Sequence, residues 1–152
     1  MKIEVIMKRE MVLILSIVIL PSVLACCIGQ NPLELEGTTW NLISCVNENG
    51  LVSVLPNSKI TARFQDGRVS GSAGCNSYLG TYHISGNTIT IGPLSSTRMF
   101  CGEPEGLMEQ EGNYLAALES AAHYKITGST LEMINADGMQ ILTFTAAAEE
   151  KG

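Results

Sequence analysis

Basic side chains are scarce in this sequence, whose 152 residues include 9 Lys and Arg against 15 Asp and Glu, for a formal net charge of −6. Nucleic-acid-binding domains use clustered basic side chains to neutralise phosphates, so this composition argues against a nucleic-acid partner. The sequence also lacks a polybasic segment that could hold an anionic lipid surface. Attachment to a membrane would therefore need a different means.

Signatures of phosphate and metal binding are also absent. The glycine-rich stretch GSAGCNSYLG has glycines at positions 71, 74 and 80, which fits neither the dinucleotide fingerprint nor the Walker loop, and no Lys-Ser/Thr pair follows it. A zinc site needs closely spaced ligand pairs, whereas the candidate ligands are scattered singly: Cys45, Cys75, His83, Cys101 and His123. We therefore predict no metal ion and no cofactor.

The sequence contains no assembled catalytic group. It lacks the G-x-S-x-G motif of serine hydrolases. His83 lies eight residues beyond Cys75, so the two could meet on neighbouring strands, but nothing in the spacing enforces a thiol–imidazole contact. Glu109 and Glu111 lie two residues apart on a predicted helix and so point to different faces, and we interpret both as solvent-exposed. The prediction is a protein that is not an enzyme.

The apolar run near the N-terminus is too short to cross a bilayer, which takes about 20 residues. This run, MVLILSIVILPSVLA at residues 11–25, has fifteen residues and follows a basic start, the pattern of a signal peptide whose translation begins at Met1 or Met7. The sequence VLAC at residues 23–26 resembles a lipobox, so we predict cleavage before Cys26, lipidation of Cys26 and anchoring to the outer face of a membrane. An ordinary secreted protein and an uncleaved anchor stay open, and all three export the remaining chain.

Export favours disulfide bonds among the cysteines. With Cys26 lipidated, four remaining cysteines allow three full connectivities: Cys27, Cys45, Cys75 and Cys101. Cys75 and Cys101 each lie at a junction between predicted elements. A bridge between them would close a loop of about 27 residues and contribute roughly 3.5 kcal/mol in the chain-entropy model. Cys45, within a predicted strand, would then be a small buried apolar residue.

Short segments of alternating apolar and polar residues dominate the chain after residue 37 and predict hairpin-linked strands. In Thr39–Val46 the alternation assigns residues to two faces, one with Trp40, Leu42 and Ser44 and the other with Ile43 and Cys45. Turn signals separate the segments, as in Gln65-Asp66-Gly67 and Ser85-Gly86-Asn87. This pattern is typical of a small antiparallel barrel or sandwich.

One segment, at about residues 103–122, has helical periodicity instead and predicts a single amphipathic helix. No internal repeat and no second domain are evident. We therefore predict a signal peptide at 1–25, a tether at 26–36, one mainly β domain at 37–145 and a flexible tail at 146–152.

Four motifs, in order, resemble the META domain of HslJ-like heat-shock proteins: LEGTTWNLIS, GSAGCNSYLGTY, STRMFC and a helix containing MEQE and YLAALE. The resemblance covers roughly Leu35–Thr145, nearly the whole predicted domain. The family's order is G-x-x-G-C-N-x-Y-x-G-x-Y followed by T-R-M-x-C. The matching residues are Gly71, Gly74, Cys75, Asn76, Tyr78, Gly80, Tyr82, Thr97, Arg98, Met99 and Cys101.

This resemblance implies a compact antiparallel β-barrel-like domain with one α-helix, displayed behind a signal peptide or lipobox. The family is associated with responses to heat and novobiocin stress and, in trypanosomatid parasites, with virulence. Its fold is similar to a lipoprotein that pilots outer-membrane secretins, which implies binding rather than catalysis. We therefore expect a lipid-anchored domain of the cell envelope with a protein partner.

At the level of residues, the resemblance pairs Cys75 with Cys101, leaves Cys45 as an extra cysteine, and places the segment Thr97-Arg98-Met99 beside the glycine-rich corner. Arg98 would either hold carbonyl or carboxylate groups of that corner or reach toward a partner. The glycines would let the backbone turn where side chains would clash, and Asn76 would bond neighbouring backbone groups.

The alternative function is a carrier of an apolar ligand, since some small barrels hold a ligand in their interior. It requires an internal cavity lined by residues such as Trp40, Phe64, Tyr82, Leu142 and Phe144. If those side chains fill the interior, the carrier hypothesis fails.

Overall fold

An antiparallel sheet closes on itself in the computed structural model, which describes residues 34–148. The elements, in chain order, are β1 (Thr39–Asn47), β2 (Gly50–Ser53), β3 (Thr61–Gln65), β4 (Arg68–Ser72), β5 (Ser77–Ser85), β6 (Thr88–Ile91), β7 (Ser95–Ser96), α1 (Leu107–Glu119), β8 (Ala121–Thr127), β9 (Thr130–Asn135) and β10 (Gln140–Ala146).

Eight strands form the barrel, in the order β1, β3, β4, β5, β6, β8, β9 and β10, and the pairing of β10 with β1 closes it. Strand β2 extends β1 as a hairpin, and β7 adds two residues beside β5. Closure pairs the strand edges that an open sheet would leave exposed. The predicted mainly β fold with one helix is confirmed, and the barrel alternative holds over the sandwich.

Local sequence accounts for most strands and turns. In β3, Ala62 and Phe64 point into the barrel while Arg63 points outward, as the alternation predicts. The β3–β4 turn has Asp66 at φ 52° and Gly67 at φ 73°, because a two-residue hairpin of this kind needs left-handed backbone at both central positions.

Strand β1 departs from the predicted faces at its centre. A bulge between Leu42 and Ser44 in the pairing with β10 shifts the register by one residue. Beyond it, Cys45 turns inward and is buried, whereas Ser44 is only partly buried and Ile43 is exposed. The expectation that Ser44 shares the inner face with Trp40 is therefore wrong, and the expectation that Cys45 is buried is confirmed.

Helix α1 is shorter than the predicted 103–122. It starts after Gly106, whose φ of 84° is left-handed and outside helical geometry. It ends at Ser120, whose N–H bonds back to the carbonyl groups of Ala116 and Ala117, and Ala121 already begins β8. The inner face of the helix packs against the barrel through Leu107, Glu111, Tyr114, Ala117 and Leu118.

The ends of the described chain join the barrel. Leu35, which the sequence assigns to the tether, is buried, and its carbonyl accepts a hydrogen bond from Trp40 Nε1 at 3.1 Å. Ala146 lies in β10, and the Ala147 N–H donates to the Thr39 carbonyl at 2.8 Å. The predicted signal peptide, Cys26, Cys27 and residues 149–152 lie outside the described residues. Among residues 34–148 there is no helix with the length and apolar character that a membrane span requires.

Two glycines offer a test of the packing. A Cβ atom added to Gly71 in β4 would lie 1.9 Å from the carbonyl oxygen of Thr61, whereas one added to Gly112 in α1 would meet no atom within 4 Å apart from the backbone of its own helix. We expect Gly71→Ala to lower the free energy of unfolding by about 1–3 kcal/mol because backbone must move. Gly112→Ala should raise it by up to about 1 kcal/mol, because alanine favours helix. Urea unfolding of both variants measures this, and equal effects would contradict the explanation.

Candidate functional site

The amide side chain of Asn76 lies at the centre of the glycine-rich corner between β4 and β5 and is only 2% exposed. Its Oδ1 accepts hydrogen bonds from the Thr97 hydroxyl and the Met99 N–H, both at 2.7 Å. Its Nδ2 donates to the Met99 carbonyl at 3.1 Å and to Glu111 Oε1 at 2.6 Å. All four hydrogen-bonding positions of the amide are therefore filled.

Glu111 of α1 provides the opposite side of this network and is 5% exposed. Its Oε2 accepts hydrogen bonds from the backbone N–H groups of Cys75 at 3.1 Å and Asn76 at 2.8 Å. Bonds to a carboxylate are stronger than neutral ones, and they satisfy two N–H groups that no strand partner reaches. The interpretation of Glu111 as solvent-exposed is wrong, because its side chain points into the corner, whereas Glu109 is exposed as expected.

A disulfide between Cys75 and Cys101 joins the same two segments, with 5.9 Å between their Cα atoms. The predicted pair is confirmed, and Cys75 is thereby removed from any thiol–imidazole pair with His83, which is exposed. Gly74, just before the bridge, has φ of 120° and lies against Leu107, where an added Cβ would be 2.8 Å from Cδ1. The corner thus needs glycine at this position for both conformation and space.

The remaining glycines of the motif lie within strands rather than at turns. Gly71 in β4 allows the Thr61 backbone to approach closely, and Gly80 in β5 lies under the Leu94 side chain. Their role is to make space, so the expectation of sharp turns holds only for Gly74.

The motif tyrosines attach the corner to the barrel interior. The Tyr78 hydroxyl contacts the Tyr114 hydroxyl at 2.6 Å and donates to the Thr61 carbonyl at 3.0 Å. The Tyr82 hydroxyl donates to the carboxylate of Glu36. Burial raises the pKa values of Tyr78 and Tyr114 well above the ordinary range of tyrosine, so both hydroxyls stay protonated near neutral pH.

The segment after Thr97 is held firmly yet presents its side chains to solvent. Both backbone groups of Met99 are bonded to Asn76, while the side chain of Met99 is 58% exposed and that of Phe100 is 84% exposed. Arg98 is exposed and makes no hydrogen bond or ion pair with another described residue. Of the two roles considered for Arg98, the structure shows no contact with the corner, which Asn76 and Glu111 hold instead.

The described residues offer no reactive constellation. Burial raises the pKa of the free Cys45 thiol to about 11, so it stays protonated and unreactive at neutral pH. Residues 34–148 hold no group of three or more His, Cys, Asp or Glu side chains placed to bind a metal ion. What the corner does present at the surface is the pair of exposed side chains Met99 and Phe100 on a backbone that Asn76 holds.

The barrel interior is filled by the side chains that a carrier would need to line a cavity. Trp40, Phe64, Leu142 and Phe144 are fully buried, and Phe64 packs edge to face on Tyr82 at 5.2 Å between ring centroids. Tyr82 also lines a groove open to solvent, together with Glu36 and His83, and the four buried side chains take no part in that groove. This packing argues against the carrier hypothesis.

Sequence reasoning missed two residues of this site, Glu111 and Phe100. Glu111 could have been found, because it shares helical intervals with Leu107, Tyr114 and Leu118 and hence their inner face. Phe100 carried no such signal, since its exposure follows from how Asn76 holds its neighbour Met99.

Solved structures share this fold. An NMR structure of a protein from Burkholderia xenovorans is 27% identical, with a TM-score of 0.62 over 76% of this chain and 85% of that one. A second NMR structure is 26% identical, with a TM-score of 0.53 over 71% and 87%. A DUF4847 family protein from Bacteroides vulgatus is 15% identical, with a TM-score of 0.50 over 73% and 93%, and shows likeness of fold alone.

Comparison by sequence adds one match. The profile of the META domain matches residues 33–148 and therefore includes every residue of the corner described above. Among curated proteins, none matches the chain.

We expect Glu111→Gln to lower the free energy of unfolding by about 1–3 kcal/mol. A glutamine amide accepts at its oxygen only, so its NH₂ group would face at least one of the three N–H donors that now bond to Glu111. The matched control is Glu109→Gln on the exposed face of the same helix, which should change stability by less than about 0.5 kcal/mol. Similar urea midpoints for both variants would contradict the role given to Glu111.

The buried tyrosine pair predicts a loss of stability at alkaline pH. The raised pKa values of Tyr78 and Tyr114 mean that the folded state keeps protons that the unfolded state releases above pH ~10, so the full contribution is present below that pH and declines as pH rises. Urea unfolding between about pH 9 and 11 should show this decline, and Tyr114→Phe should make it shallower. An unchanged slope in the variant would be inconsistent with this assignment.

Proposed function

The chain belongs to the META domain family, and on that premise we propose that it is a non-catalytic, HslJ-like binding domain of the cell envelope. It contacts a protein partner there, and a lipid on Cys26 anchors it to the outer face of a membrane. Its role there would be to support the envelope under stress. The anchor rests on the lipobox-like residues 23–26 and the apolar run before them.

The observation that carries the binding proposal is the exposure of Phe100 and Met99 on a fixed backbone. Transfer of an aromatic side chain that is 84% exposed into an apolar pocket lowers the free energy, because apolar surface is removed from water. Because the disulfide and Asn76 already hold this segment, little backbone order is lost on binding. Rigid aromatic anchors of this kind dominate the affinity of many protein interfaces.

The neighbouring Arg98 specifies the chemistry of the partner further. It is exposed and has no ion-pair partner among the described residues. A partner with an apolar pocket for Phe100 and a carboxylate beside that pocket would engage both side chains. Asn76, by contrast, is buried and supports this surface from beneath without forming part of it.

The partner is tested by photo-crosslinking in the protein's own cell, with a benzophenone amino acid in place of Phe100. The matched control carries the same group in place of Met139, another apolar side chain that is 57% exposed, near the start of β10. We expect one protein adduct from position 100 that is absent from position 139 and that decreases at least tenfold when Arg98→Glu is added. Adducts that are the same at both positions would refute the Met99–Phe100 surface.

The anchor has a separate test. Cys26→Ser should move the protein from the membrane fraction to the soluble fraction after export, because the lipid would be lost. Cys27→Ser, one residue further on, should leave it in the membrane fraction. Residues 1–25 still attached to the unsubstituted protein, as measured by its intact mass, would favour the uncleaved anchor instead.

A further inference from the structure

A groove away from the Met99–Phe100 surface carries two cations. It has a volume of about 800 Å³ and lies along the outer face of the paired strands β1 and β3, where Lys59 and Arg63 contribute to its lining. The described residues include 5 Lys and Arg against 11 Asp and Glu, yet none of the residues that line the groove is acidic. Among residues 34–148, two of the five cations thus line one groove, and no acidic residue of that part of the chain lines it with them.

The register of the paired strands β1 and β3 determines which polar side chains lie beside these two cations. Thr39 lies opposite Arg63, and Asn41 opposite Thr61, on the side of the sheet that faces away from the core. Arg63 is held in place by bonds from Nε to Gln65 Oε1 at 3.1 Å and from Nη1 to the Thr39 hydroxyl at 3.4 Å. Its Nη2 group remains available to a ligand.

Other donors in the groove are also available. Lys59 is exposed, and neither it nor the Asn41 amide makes a side-chain hydrogen bond within residues 34–148. Ammonium, guanidinium and amide N–H groups all donate. The groove therefore presents donors to a ligand that must accept hydrogen bonds and carry negative charge.

We propose that this groove binds the carboxylate or phosphate group of an acidic saccharide, with Lys59 and Arg63 contacting the anionic group and Asn41, Thr39 and Thr61 contacting sugar hydroxyls. Its size lies within the usual range for small-ligand sites, about 300–1,000 Å³. This binding is independent of the protein partner proposed for the Met99–Phe100 surface.

Other ligand classes fit the groove less well. Two cations are too few for nucleic acid, whose binding typically involves about 6–10 phosphate contacts, or for an anionic bilayer, which is held by clusters of roughly 4–8 basic residues. The only apolar side chains that line the groove are those of Ala146, Ala147 and Ala148, so an apolar ligand would find little to bury there.

The test titrates the full-length protein in detergent micelles with four compounds while backbone amide NMR shifts are recorded. Tetragalacturonate and glucose 6-phosphate supply the two anionic groups on sugars, maltotetraose supplies neutral sugar, and inorganic phosphate supplies charge alone. We expect at least one acidic saccharide to shift the amides of Thr39, Asn41 and Thr61 and to bind more weakly as salt rises. Maltotetraose and inorganic phosphate should bind at least tenfold more weakly.

Matched variants locate the binding. Lys59→Gln and Arg63→Gln should each weaken it on the order of tenfold, as expected for loss of a charged hydrogen bond. Lys125→Gln and Arg68→Gln remove the same charges from exposed positions outside the groove and should leave affinity unchanged. Equal weakening by all four variants would show only an effect of net charge and would overturn the proposal.

Three further outcomes would also overturn it. Inorganic phosphate that binds as tightly as the acidic saccharides would show an anion site without sugar recognition. The chain continues from Ala148 into Glu149 and Glu150, and saccharide binding that appeared only after Glu149→Gln and Glu150→Gln would show that the chain's own carboxylates compete for the groove. Absence of shifts with every compound would refute the site altogether.

Discussion

The fully bonded amide of Asn76 is the constraint on which the rest of the corner depends. It connects three segments that are distant in sequence: the β4–β5 connection, the segment from Thr97 to Met99 that follows β7, and the helix through Glu111. The backbone groups of Cys75, Asn76 and Met99 bond to side chains of this network and would lose those partners if the segments moved apart. The disulfide Cys75–Cys101 limits the separation of the segments, while the amide and carboxylate determine their exact arrangement. The three segments therefore hold one another in place, and the corner folds cooperatively.

That cooperativity explains how the corner can be buried while the segment that it holds exposes its side chains. The side chains of Asn76 and Glu111 point inward and satisfy one another, while those of Arg98, Met99 and Phe100 are left at the surface. A flexible loop would lose conformational freedom when such side chains enter a partner, whereas this segment has little left to lose. Most residues of the motif therefore support this surface from beneath. Asn76 is accordingly buried, whereas Phe100 is exposed.

Sequence reasoning recovered what is encoded locally. Alternation in β3 and the turn at Asp66-Gly67 follow from side-chain period and backbone conformation, which need no knowledge of the remaining chain. The burial of Glu111 depends on which donors lie opposite its helix, and the exposure of Phe100 depends on a bond between Asn76 and a neighbouring residue. Arg98 matches the family's motif, but no pattern indicates that its side chain is left without a contact at the corner. The helical interval that Glu111 shares with Leu107 and Tyr114 could have indicated its burial. The exposure of Phe100 and the lack of a corner contact for Arg98 depend on tertiary structure, which a single sequence does not show.

The bulge in β1 has a consequence for the fidelity of disulfide formation. By shifting the register after Leu42, it turns Cys45 into the core, where the thiol is 3% exposed and bonds to the carbonyl of Val46. An accessible thiolate at Cys45 could attack the Cys75–Cys101 bridge, forming a mixed disulfide with one of the two cysteines and releasing the other as a thiolate. Without the extra residue, the alternation of the strand would direct Cys45 outward. The bulge therefore keeps the Cys45 thiol buried, so that it cannot take part in disulfide exchange once the barrel has closed.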